Sequence, residues 1–137
     1  MWFFGKGGIK KSKKGEKMRP HEKLDVWKMS VDLVVKIYDC TKHFPPDEKF
    51  GLTSQIRRAA VSVPTNIAEG AARRFDKEFL QFLSVAQGSA SELETELLIA
   101  SKLGFIEKRT FSELHNELNL IARKLVGLSN YVKKRIR

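Results

Sequence analysis

Phe111, Leu114, Leu118, Ile121, Leu125, Leu128 and Val132 follow one another in alternating steps of three and four residues without interruption. That spacing puts all seven side chains on one side of an α-helix, because a strand would alternate every second residue. Phe79, Leu83, Ala86, Ala90, Leu93, Leu97 and Ala100 carry the same period through the preceding segment. Asp76 is suited to cap the start of that helix and Gly104 to stop it. Thr110 and Glu113 have the Thr-x-x-Glu spacing of a capping box, which opens the last helix.

Two further helices precede these. Leu24, Trp27, Val31, Val34 and Tyr38 step by three and four until "KHFPPDEKFG", where two consecutive prolines end the helix near Lys42. Leu52, Ile56, Ala59, Val63 and Ile67 resume the pattern to about Arg73. Four long helices with short connections predict an all-α, antiparallel up-down four-helix bundle. Nothing reads as a strand hairpin. At 137 residues the chain suits one domain; the bundle takes residues 21–137, and the Gly- and Lys-rich residues 1–20, which lack periodicity, form a disordered basic arm.

Helix one carries a second apolar stripe, Val26, Met29, Leu33, Ile37 and Cys40, about 130° from the first. One four-helix core does not readily bury both stripes, so the second predicts self-association. A broad core-facing side is the alternative.

"QIRRAAVSVPTNIAEGAARR", residues 55–74, projects Gln55, Arg58, Ser62, Asn66, Glu69 and Arg73 onto one polar stripe. Pro64 in its middle removes a backbone donor and costs about 3 kcal/mol in a regular helix interior. A kink relieves this, as do two helical pieces with Ser62 capping the second. Two uses of the polar stripe stand open. In one, Glu69 pairs with Arg73, Arg58 meets the acidic "ELETE" of helix three, and Asn66 satisfies groups freed at the proline, while Gly70 and its alanine neighbours allow close helix approach. In the other, Arg57, Arg58, Arg73 and Arg74 flank a phosphate-binding surface.

The charge balance favours an anionic partner. The chain holds 26 Lys and Arg against 16 Asp and Glu, a net charge of +10. Residues 1–20 account for seven of the cations, among them Lys10, Lys11, Lys13 and Lys14, against Glu16 alone. Such an arm suits a polyanion; an unstructured leader, with Met18 as the working start, is the other reading. Lys133, Lys134 and Arg135 add cations at the end of helix four, where they also complement its dipole.

Other classes of chemistry lack their residues. Cys40 is the sole cysteine, so no disulfide or Cys-rich zinc site forms within the chain, and a reducing, cytoplasmic setting fits. "MWFF" precedes its lysines, the wrong order for a signal peptide, and no run reaches the roughly 20 apolar residues of a membrane span. His21, His43 and His115 stand apart without the paired spacing of a bundle metal site. "GKGG" lacks the Lys-Ser/Thr that completes a phosphate loop. No catalytic residue, metal or cofactor is expected, and the protein is read as a non-enzyme.

The segments "WKMSVDLVVKIYDCTKHFP", "FGLTSQIRRAAVSVPTNIAEGAARR" and "FLQFLSVAQGSASELETELLIASKLGFI" resemble the bacterial proteins named after intervening sequences in 23S ribosomal RNA genes. The resemblance runs from Leu24 to about Leu128. It implies a four-helix bundle that assembles into a ring-like homopentamer, with no catalytic assignment. The architecture is also similar, more distantly, to accessory proteins of diversity-generating retroelements, which work with a reverse transcriptase and RNA. The family motif falls here on Gln55, Arg57, Arg58, Pro64, Asn66, Glu69, Gly70, Gly88, Ser89 and Glu92.

Two functions follow as expectations. The first is a non-enzymatic oligomer binding RNA or DNA backbone, without base specificity, through the arm, the four arginines of helix two and the helix-four tail. The second is a homo-oligomeric scaffold for a protein partner such as a reverse transcriptase, held together through the helix-two stripe.

Overall fold

The computed structural model describes residues 3–5, 8–10 and 17–136. Four helices, α1 (Asp25–Thr41), α2 (Leu52–Ala71), α3 (Asp76–Lys102) and α4 (Lys108–Arg135), run up and down in turn. Each packs on its neighbours in sequence, and α1 closes against α4. This is the expected antiparallel bundle. A 3-10 turn, Pro20–Lys23, leads into α1 and lies against α2. Upstream, β1 (Phe3–Gly5) and β2 (Gly8–Lys10) pair antiparallel with Phe3 opposite Lys10, a ladder that the sequence pattern did not announce. Two strands without a third contribute little to a fold.

The seams become the core. Ile37, Ile56, Ile67, Leu83, Leu93, Leu97, Leu118, Ile121, Leu125 and Val132 are all but fully buried, each worth about 1.5–3 kcal/mol relative to exposure. On α1 the alternative of a broad core-facing side holds, with Leu24, Trp27 and Val34 of the first stripe also packed against the core. Val26, Leu33 and Ile37 face the core and Met29 packs partly against it, whereas Val35 and Tyr38 are exposed and Trp27, Val31 and Val34 half-buried. The stripe expected to form an interface is therefore the one that the protomer itself buries.

The helix ends show how the chain turns. After α3, Gly104 adopts φ +80°, its N–H donates to the Ser101 carbonyl at 3.0 Å, and the Phe105 N–H donates to Ala100 at 2.9 Å. This paired closure satisfies orphan carbonyls with a left-handed glycine, and Phe105 then packs on Phe44 of the α1–α2 link, ring centroids 5.6 Å apart. The start signals sit inside their helices instead of before them. Asp76 is the first residue of α3, following Phe75, and its carboxylate accepts from Arg135 at 2.8 Å. Helix α4 starts at Lys108 after Glu107, so Thr110 lies in its first turn and no capping box forms; Glu113 pairs with Arg109 at 3.5 Å.

Helix α2 passes through Pro64 as one unbroken element. The carbonyls just before the proline take extra donors, Thr65 Oγ1 to Val61 at 2.9 Å and Asn66 Nδ2 to Ser62 at 2.7 Å. Pro64 itself is buried, so its ring contributes packing against the cost of its missing donor.

Candidate nucleic-acid interface

Arg57 is held by α1. Its Nε donates to Thr41 Oγ1 at 2.8 Å, and its guanidinium lies 4.4 Å from the Tyr38 ring centroid. Thr41, which is buried, donates in turn to the Ile37 carbonyl at 2.8 Å, so the acceptor for Arg57 is fixed in place. Arg58, about 100° further round the helix, is exposed. Between them opens a groove of about 480 Å³ lined by Tyr38, Lys49, Phe50, Thr53, Ser54, Arg57, Arg58 and Val61. It continues, through Lys49, Thr53 and Arg57, into a second recess of about 350 Å³ that includes Lys42 and the two prolines Pro45 and Pro46. No carboxylate lines either space.

The groove also abuts the start of α2. Gly51 precedes the helix, and Thr53 and Ser54 belong to its first turn, where backbone N–H groups lack partners within the helix and the dipole is positive. Lys49, Arg57 and Arg58 give the recess its positive charge, while the helix end itself already faces the Glu48 carboxylate, 3.4 Å from where a Cβ on Gly51 would stand. Phosphate oxygens are the acceptors that such a surface suits.

The other cations lie elsewhere. Arg73 lies just past the C-terminal end of α2, near the end of the bundle where α4 finishes. Arg73 covers Phe82 at 4.8 Å, Arg74 covers Phe75 at 5.4 Å, and Arg135 is engaged by Asp76 and by Tyr131 at 5.2 Å. Lys133 and Lys134 are exposed there. The four arginines therefore belong to two surfaces, because Arg57 and Arg58 lie in the N-terminal part of α2 whereas Arg73 and Arg74 fall in the bend between α2 and α3. Lys10 falls in β2; Lys11, Lys13 and Lys14 lie outside the described residues.

The polar stripe is only partly the expected one. Ser62 and Ser89 join α2 to α3 through hydroxyls 2.7 Å apart, and Asn66 Nδ2 also donates to Ser62 Oγ at 2.9 Å. Gln55, Arg58 and Glu69 are exposed, while Gly70 is buried against Phe79 and Phe82. Glu69 makes no ion pair with Arg73, whose guanidinium stacks on Phe82 instead, nor does Arg58 pair with the α3 acids. Glu94 goes to His115 at 3.3 Å. Glu96 is 7% exposed, its Oε1 bonds no described residue, and burial, then the Glu92 charge and a hydrogen bond with Glu92, push its pKa up to about 7.

Among the described residues no three His, Cys, Asp or Glu side chains converge as a metal site would require. The half-buried Cys40 thiol is pushed above its usual pKa by burial, which disfavours the nucleophilic thiolate. No described helix is long and apolar enough to cross a membrane. Sequence periodicity had not found Lys49, Phe50 or Tyr38 as groove residues. The signal available was "EKFG", a cation and an aromatic in a proline-broken link just before a helix.

Fold and surface together define a small basic four-helix bundle with an open cationic groove between α1 and α2. Residues 22–127 match the family model described as 23S rRNA-intervening sequence protein, and the chain belongs to that family. It shares its fold with a crystal structure from Bacteroides thetaiotaomicron described as a protein with unknown function from the S23 ribosomal protein family. The TM-score is 0.71 at 23% identity, over 76% of this chain and 97% of that one. No curated protein matches.

Proposed function

We propose that this protein is a non-enzymatic, oligomeric nucleic-acid-binding protein that holds RNA or DNA by its phosphate backbone, with the α1–α2 groove as the binding surface of the bundle. The observation that carries this reading is the concentration of Lys49, Arg57 and Arg58 around a recess without an acidic side chain. Backbone contacts of this kind set affinity and position without reading sequence. The arm and the α4 tail supply further attraction, and repetition of weak sites in an oligomer raises avidity.

A scaffold for a protein partner is the second reading. Leu98, Ile99 and Leu103, each 44% exposed or more at the end of α3, favour it, since apolar groups gathered near one helix end suit a protein contact.

Binding of structured RNA and duplex DNA over a salt series, by the full chain and by a version starting at Met18, tests the first reading. Salt-sensitive binding that survives the shortening supports a bundle-borne phosphate surface. Binding that vanishes with the arm, or is missing at low salt in both, refutes it.

A further inference from the structure

We propose that the α1–α2 groove takes single-stranded nucleic acid, with an unpaired base stacked on the ring of Phe50; this rests on the phosphate-binding reading of the same groove. Phe50 is 89% exposed, the most exposed large apolar side chain among the described residues. Its neighbours Phe44 and Phe105 in the same corner of the bundle are buried or half-buried, so this ring stands in water while apolar packing is available close by in sequence.

Its surroundings determine what it suits. Lys49 Nζ sits 5.4 Å from the Phe50 centroid, and Arg58 lines the same groove. The other groove aromatic, Tyr38, is covered more closely, by the Arg57 guanidinium at 4.4 Å, and is half as exposed, which makes Phe50 the more open platform. A protein side chain seeking Phe50 would meet cations and the hydroxyl groups of Thr53 and Ser54 around an isolated ring. A nucleotide meets all of them usefully, with its phosphate on the cations and its base on the ring. Sequence-tolerant stacking beside a cationic track is how single strands are held. A duplex keeps its bases stacked on one another and offers Phe50 nothing.

Fluorescence anisotropy at low salt, with the full chain and labelled 12-nucleotide oligouridylate or a 12-base-pair RNA duplex, tests this. The variants are Phe50→Ala, Phe50→Trp and the pair Lys49→Ala with Arg58→Ala. Phe50→Ala is expected to weaken oligouridylate binding about tenfold and to leave the duplex unchanged, Phe50→Trp to restore it, and the charge pair to weaken both probes. Phe50→Ala that changes neither probe, or both equally, overturns the stacking while the phosphate reading stands. A change in oligomer size on Phe50→Ala makes the ring a protein contact and also overturns it. A wild-type chain that binds neither probe removes the phosphate reading itself.

Discussion

The hydroxyl groups of Ser62 on α2 and Ser89 on α3 lie 2.7 Å apart, beside Pro64 and within reach of Asn66. This contact fixes the register of the two most extensively packed helices. Counting seven residues outward along each antiparallel helix sets Gln55 level with Glu96.

Asn66 is the donor that completes this contact, through bonds to the Ser62 carbonyl at 2.7 Å and Ser62 Oγ at 2.9 Å. Replacing it with aspartate keeps the shape and removes the donor. Asn66→Asp is expected to destabilise the bundle by about 1–3 kcal/mol at neutral pH, with part of the loss recovered in acid as the carboxyl regains a proton. Urea unfolding at two pH values measures both effects.

A methyl group on Gly70 would stand 2.7 Å from Phe82 Cβ and 2.8 Å from Phe79 Cδ1. Alanine has the better helix propensity, but this close approach leaves no room for it. Gly70→Ala is expected to cost about 1–3 kcal/mol, read as a lower melting temperature, whereas Gly88→Ala, where a Cβ meets nothing within 4 Å, is expected to stabilise.

Glu96 gives the bundle a pH-dependent stability. Its folded pKa is raised from 4.5 to about 7, so between those values the native state keeps a proton that the unfolded chain has released. Stability from this group therefore falls as pH rises from about 4.5 to about 7, by up to about 3 kcal/mol. Glu96→Gln is expected to flatten that slope and to stabilise the bundle at pH 8; unchanged pH dependence of urea unfolding would contradict it.

Arg57 and Arg58 are adjacent in sequence and differ in what they hold. Arg57 bonds Thr41 and covers Tyr38, while Arg58 is exposed and makes no ion pair among the described residues. Arg57→Ala is expected to lower stability by about 1 kcal/mol as well as nucleic-acid affinity. Arg58→Ala should lower affinity alone, and paired thermal unfolding and binding curves separate the two.

Helix periods were legible because a 3.6-residue repeat over some twenty residues has one geometric solution, and the α2, α3 and α4 seams are the core. The α1 face was not, for a local reason. Ser30 and Thr41 are buried beside Val26, Leu33 and Ile37, and their hydroxyls bond the Val26 and Ile37 carbonyls at 2.6 and 2.8 Å. Once satisfied within their own helix, they cost little to bury, but in sequence they count as polar. The groove was half legible. Arg57 and Arg58 follow from charge, whereas Lys49 and Phe50 come from a link without periodicity, and their meeting with Tyr38 depends on how α1 and α2 pack.

The salt dependence of binding tests the central claim most directly. Affinity of the full chain for oligouridylate, measured from about 50 to 200 mM salt, is compared with that of the Lys49→Ala, Arg58→Ala variant. A groove that contacts phosphates predicts a log-log slope shallower by about 1.4 in the variant, from two lost contacts at about 0.7 each on a single strand. Identical slopes and affinities for both proteins would place the binding outside the groove and contradict the account.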